Sequence, residues 1–172
     1  ALRAELSFSL PHSRFEALLE QLGAFIGADS SRPEQEIGHG PDNLLLWADT
    51  SIVVEAKNMA LYSAIPKHDV AQLLHSIEWF RSEYPNAAPP TPVFVAPTAV
   101  IAAGVVAAAG TRVVTPPHLT RLLDASAAFV AALVAGVGML LAILCGVALM
   151  GTVIAAVHPA EVVAHRVGET FV

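Results

Sequence analysis

Apolar residues recur at helical spacing through residues 12–27, HSRFEALLEQLGAFIG: Phe15, Leu18, Leu19, Leu22 and Phe25 share one stripe. Ser13 stands where a capping hydroxyl belongs, and Gly27 suits the helix end. Residues 28–41, ADSSRPEQEIGHGP, are rich in breakers and predict a loop, with room for a short strand at Glu34–Ile37. Two short apolar runs follow, Asn43–Ala48 and the β-branched Ser51–Ala56, joined at Asp49-Thr50; they predict a strand pair with a tight connection. A second helix is expected over 69–83, DVAQLLHSIEWFRSE, with Val70, Leu73, Leu74 and Ile77 on its apolar stripe.

Beyond a proline-rich linker at 85–92 the pattern continues. It predicts a strand at 92–97, an alanine-rich helix over 98–109 ending at Gly110, a β-branched strand at 111–115, and a new helix that Pro116 and Pro117 open. Helices alternating with strands predict an α/β fold with a mixed sheet.

The tail breaks this rhythm. From Ala125 to Val157 no charged residue occurs, and the run exceeds the roughly twenty apolar residues needed to span a bilayer. Two readings stand side by side. One is a transmembrane helix centred near Leu140–Leu149; the other is a buried hairpin broken at Gly136-Val137-Gly138. Residues 158–172 predict a short amphipathic helix entered at His158-Pro159. The expected organisation is therefore a mixed domain over 1–123, an apolar helical segment over 124–157, and a C-terminal helix over 158–172. The slight basic excess of Arg112 and Arg121 over Arg166 would put the mixed domain in the cytoplasm. The expected location is cytoplasmic, with a membrane anchor through 125–157 as the other reading.

Composition changes this picture little. With 9 Lys+Arg against 15 Asp+Glu the formal charge is −6, which argues against a broad basic grip on nucleic acid. Cys145 is the single cysteine, so there is no internal disulfide and no multi-thiolate zinc site. The histidines do not gather as ligands; His158 and His165 share a helix face and read as exposed.

The candidate chemistry lies in GPDNLLLWADTSIVVEAKN. Asp42 stands at the mouth of the first strand of the pair, and Glu55-Ala56-Lys57 closes the second. Side chains alternate along a strand, so Glu55 and Lys57 share a face. Antiparallel pairing can bring Asp42 beside Glu55. Two adjacent carboxylates repel and favour a divalent cation, and hard oxygen ligands suit Mg²⁺ or Mn²⁺. The Ala56 carbonyl would be a further ligand. Such an ion activates water and neutralises charge on a phosphate, and Lys57 would orient that water or stabilise the transition state. The plain alternative is a set of strand-end charges on a solvated face. Against it stands the position of Glu55, directly after Ile52-Val53-Val54, a run that reads as buried.

The stretches RPEQEIGHGPDNLLLW, VVEAKN and IPKHDVAQLLHSIEWF together resemble the PD-(D/E)XK, restriction-endonuclease-like nuclease superfamily, in particular nuclease-like domains of bacterial proteins, some attached to helicases. The resemblance runs from about Phe15 to Leu123. It implies a restriction-endonuclease-like mixed central sheet flanked by helices and Mg²⁺-dependent hydrolysis of DNA phosphodiesters. It also implies a glutamate on the first helix, for which Glu16 is favoured over Glu20, with Glu34 and Glu36 as competitors. A Gln or Lys on the helix after E-x-K is expected too; Gln72 fits, with Lys67 before it as a phosphate contact. Asp69-x-x-Gln72 reads equally as a capping box. Trp79 and Phe80 would stack on a base or fill core, and core is preferred for Phe80. The other function open to the sequence is a non-catalytic nuclease-like module that binds nucleic acid or docks on a helicase, with a partner chain supplying the basic surface.

Overall fold

The structure is a computed structural model. It describes the backbone over residues 2–168 and the side chains over 4–145 and 147–148. The chain falls into two units, residues 1–126 and 127–172.

The first unit is built on a five-stranded mixed sheet of order β1-β2-β3-β4-β5, with β1 at Asp29–Ser31, β2 at Asn43–Leu46, β3 at Ser51–Ala56, β4 at Thr91–Val95 and β5 at Arg112–Val114. β1, β2 and β3 pair antiparallel; β3, β4 and β5 pair parallel. The parallel step from β3 to β4 needs a long return, which helix α4 (Lys67–Glu83) supplies. Helix α1 (Leu2–Glu5) precedes α2 (His12–Phe25), and the short α3 (Pro33–Ile37) lies between β1 and β2.

Strand alternation divides the sheet into two faces. On one, Val54, Ala56, Val93 and Val95 pack against Phe15, Leu18, Leu19 and Leu22 of α2 and against Leu119 and Leu123 at the start of the last helix. On the other, Leu44, Val53 and Phe94 pack against Val70, Leu73, Ile77 and Phe80 of α4. Glu55 belongs to this second face. Where α2 crosses the sheet it comes so close that a Cβ on Gly23 would run into the Leu45 side chain and Ser30 Oγ. Gly23→Ala is therefore expected to lower the free energy of urea unfolding by about 1–3 kcal/mol, although alanine is the better helix former. An unchanged or higher midpoint would show that α2 can slide to make room.

Several expectations need correction. Glu34–Ile37 is helical, not a strand, because Pro33 occupies the first helical position and Gly38 closes the turn at φ 79°. Residues 98–109 form no helix. Ile101 bridges to Ile65 instead, with Ile65 N–H donating to Val100 O at 2.7 Å and Ala102 N–H to Ile65 O at 3.0 Å. Gly104 also takes φ 75°, which no helix tolerates. Local alanine content loses there to apolar packing of Ile101 and Val105 on the α4 face. Ser13 caps nothing: Pro11 holds the cap position of α2, with no side-chain cap. Leu74 and Phe25 face solvent rather than core.

Helix α5 (Pro116–Gly168) starts in the first unit, and its remainder makes up the second. It runs through Gly136 and Gly138 without interruption, so the expected hairpin break is not there. An isolated glycine costs a helix only about 1 kcal/mol, which a long apolar run tolerates. The separate helix expected at 158–172 is likewise part of α5 as far as Gly168, and residues 169–172 lie outside the described residues, as do the side chains of His158 and His165. Among the described residues one helix is long and apolar enough to cross a membrane: Pro116–Cys145, 30 residues, with mean hydropathy 2.7 and none of that window buried. Cys145 is exposed on it.

Candidate functional site

Glu55 is the most buried charged residue described, at 0% exposure. It sits there because β3 is central in the sheet and its odd-numbered positions face α4. Two donors meet its carboxylate. Ser76 Oγ, on α4, donates to Oε1 at 2.6 Å, and Lys57 Nζ donates to Oε2 at 3.3 Å. Asp42 is 6% exposed and lies one residue before β2. Its Oδ2 accepts the Ala56 amide at 2.6 Å, so the antiparallel pairing of β2 with β3 does bring it to the end of β3.

Lys57 Nζ occupies the middle. Besides Glu55 it reaches Gln72 Oε1 at 2.9 Å and lies 3.9 Å from Asp42 Oδ2. An ammonium has three protons, and three acceptors surround this one. Glu55 and Lys57 thus stand together, with Asp42 and Gln72 closing the cluster. Gln72 does not form a capping box with Asp69: α4 starts at Lys67, its cap position is Pro66, and Asp69 is already inside the first turn. The helix begins earlier than its polar signature suggested, and Gln72 is left free to serve Lys57.

Two more carboxyl groups border the centre. Glu34, on α3, is hydrogen-bonded to Asp42, and that bond, with burial and the charges of Asp42 and Glu16, pushes its carboxyl up to about 7. Glu16, on α2, is raised by burial and by Asp42. Glu20 turns elsewhere, into a 2.7 Å ion pair with Arg32, and Glu36 Oε1 accepts the Arg32 amide at 2.9 Å. Of the four candidate glutamates, then, Glu16 and Glu34 adjoin the centre, while Glu20 and Glu36 fasten α3. Glu55 itself is pushed up to about 8, first by burial and next by the charge of Asp42; the Ser76 and Lys57 bonds pull the other way.

Lys67 is exposed at the first turn of α4 and makes no contact with the cluster's carboxylates in the bonds and ion pairs around Lys57. Ala56 contributes its amide to Asp42. Trp79 is half-buried, its ring edge against His39 with centroids 6.3 Å apart, and Phe80 is core. Ser76 was not singled out from sequence. Its signal was a small hydroxyl at an apolar register of α4, between Leu73 and Ile77. Asn58, directly after the motif, was also missed. It is 4% exposed and ties the N-terminal loop to the end of β3 through Phe8 O at 3.2 Å, Leu10 O at 2.6 Å and His12 Nδ1 at 3.0 Å.

Among the described residues, no group of three or more His, Cys, Asp or Glu is disposed to hold a metal ion. The oxygen donors of Asp42 and Glu55 are of the type that Mg²⁺ takes, but in this arrangement a lysine ammonium stands between them. Compared with family models, with curated proteins and with solved structures, the chain gives no match.

Proposed function

We propose that residues 1–126 are a nuclease-like module that engages nucleic acid, or a nucleic-acid-processing partner, without cleaving it, and that α5 tethers the module to a membrane. The observation that carries this reading is the internal neutralisation of the acidic pair: Lys57 Nζ lies 3.3 Å from Glu55 and 3.9 Å from Asp42. Each carboxylate is further committed, Glu55 to Ser76 and Asp42 to the Ala56 amide. A formal charge of −6 means that contact with phosphates relies on a partner's basic surface. The module is proposed to lie on the cytoplasmic side of that membrane.

One observation favours a second reading, Mg²⁺- or Mn²⁺-dependent hydrolysis of DNA phosphodiesters. Asp42, Glu55, Lys57 and Gln72 converge on one spot from β2, β3 and α4, which unrelated strand-end charges do not do. Here Asp42 and Glu55, with the Ala56 carbonyl, would hold the ion, and Glu16 or Glu34 would adjoin it. The ion would supply charge neutralisation and an activated water. Lys57, moved off the carboxylates, would orient that water. Gln72 and Ser76 would hold Lys57 and Glu55 in place, and Lys67 would meet phosphate.

The test is cleavage of single-stranded, duplex and branched DNA by the full chain in Mg²⁺ and Mn²⁺, with calorimetric titration of each ion. No cleavage, and the same weak ion heats in native and Glu55→Gln chains, is the outcome expected of the module. Cleavage that vanishes in Asp42→Ala and Glu55→Gln, and falls about 10–100-fold in Ser76→Ala, establishes the enzyme instead.

A further inference from the structure

Strands β3, β4 and β5 run parallel, so all three begin toward one edge of the sheet. Asp42, Glu55 and Lys57 mark the other edge, where β2 begins and β3 ends. Helix α2 runs from one edge to the other. Its Glu16 O meets Asn43 beside Asp42, and soon after Phe25 the chain enters β1 at Asp29, which pairs with Leu46 at the far end of β2. α5 follows the same course: it starts where β5 ends and lays Leu119 and Leu123 back along the face that α2 covers. An apolar corner forms where α2 ends. Phe25 and Ile26 extend the buried stripe of α2 past the sheet and are exposed. Ile26 shares a hollow with Ile52 and with the exposed Leu122 of α5, and Ile52 shares another with Trp47 and Ala48 of the β2–β3 turn. We propose that this corner is seated in the headgroup layer of the bilayer that α5 enters, as a second contact between the module and the lipid surface.

This contact rests on the tether proposed above, and continuity with the tether names lipid as the occupant. The apolar span Pro116–Cys145 begins within this unit, and the run without charge starts at Ala125, less than one turn past Leu122. A bilayer that takes up that run brings its interface to the corner. Trp47 suits such a layer, because its ring is apolar and carries one N–H, the combination that places tryptophan at membrane interfaces. Arg112, which pairs with Val93 and so shares its face, and Arg121 are both exposed there and can pair with headgroup phosphates. Asp49 and Asp124 offset their charge, so the contact does not depend on an anionic lipid. The six residues of β3 rise about 20 Å in all, which holds Glu55 and Lys57 away from the lipid; whatever meets them arrives from the aqueous side.

The experiment is quenching of tryptophan fluorescence in the full chain, reconstituted into phosphatidylcholine vesicles brominated high on the acyl chains. The chain has two tryptophans, so Trp79→Phe leaves Trp47 as reporter and Trp47→Phe leaves Trp79, on the other sheet face, as control. Trp47 emission is expected to fall by about half or more, because an interfacial apolar side chain sits roughly 5–10 Å deep among the upper acyl carbons, while Trp79 emission stays unchanged. Phe25→Ser with Ile26→Ser, both at exposed positions, should bring Trp47 quenching down to the level of Trp79, with the near-ultraviolet circular dichroism unaltered and the chain still held by the vesicles in alkaline carbonate. A carbonate-resistant chain whose Trp47 is quenched no more than Trp79, or whose quenching survives the serine pair, overturns this contact and leaves the tether standing. Release of the native chain by carbonate overturns both.

Discussion

Replacing Lys57 with methionine is expected to destabilise the folded chain, and to do so by up to about 1.4 kcal/mol more at pH 9 than at pH 5. The side chain's bulk is nearly kept, so packing is not the cause. What is lost is the cation 3.3 Å from Glu55 and 3.9 Å from Asp42, both of which are buried. The pH dependence follows from Glu55. Its carboxyl is pushed from an ordinary value of 4.5 up to about 8 in the fold, chiefly by burial. Below 4.5 it carries a proton whether the chain is folded or unfolded, and its contribution is fully present. Between 4.5 and 8 the folded chain keeps the proton that the unfolded chain gives up, so stability falls with rising pH, by at most about 1.4 kcal/mol per unit. Above 8 the contribution is lost. Removing Lys57 takes away a group that favours the ionised form, so the folded value rises further and the penalty grows as the pH rises above 8. Urea titrations from pH 5 to 9 read this directly. Glu55→Gln should remove most of the slope, and Lys57→Met in the Glu55→Gln background should cost the same at pH 5 and pH 9. An equal cost of Lys57→Met at pH 5 and pH 9 would reassign Lys57 to packing.

The second large effect belongs to α5. In membranes from cells expressing the chain, alkaline carbonate and high salt are expected to leave it in the pellet, and detergent to release it. The helical span Pro116–Cys145 has mean hydropathy 2.7, and none of its apolar window is covered by the protein. Leu133, Val134, Met139, Leu140 and Ile143 are all exposed, and with the exposed Ala135 and Ala142 they surround the helix rather than form a stripe. A helix apolar on every side has no solvated face, and only lipid or another protein can cover it. Leu140→Arg tests the same point within the chain, since an arginine at mid-span costs about 2.5–3.5 kcal/mol on insertion. Release of the native chain by carbonate alone would mean that a protein partner, not lipid, covers the helix.

Much of the first unit could be read from its residues. Period-two β-branched runs and period-four apolar stripes are local patterns, and they placed α2, α4 and all of β2 to β5 near their observed positions. The E-x-K placement was legible for the same reason: alternation alone puts Glu55 and Lys57 on one face. The failures share a cause. Residues 98–109 look helical by composition, yet Ile101 pairs with Ile65, a partner far away in the chain. Residues 34–37 look like a strand by pattern, yet Pro33 and Gly38 bound a single helical turn.

What the sequence determined by itself is the elements that depend on neighbours within a turn or two: the stripes, the breakers, the shared face of Glu55 and Lys57, and the apolar character of 125–157. Tertiary structure alone decided which groups meet across the fold. The choice of Glu16 and Glu34 over Glu20 and Glu36 depends on where α2 and α3 lie against β2, because a carboxylate acts over a few ångströms and Arg32 draws two of the four away. Gln72 serves Lys57 rather than its own helix start because α4 begins at Lys67. Ser76 became part of the centre only when α4 packed over β3 and set its hydroxyl 2.6 Å from a buried carboxylate, a contact between residues 21 positions apart that no local period encodes.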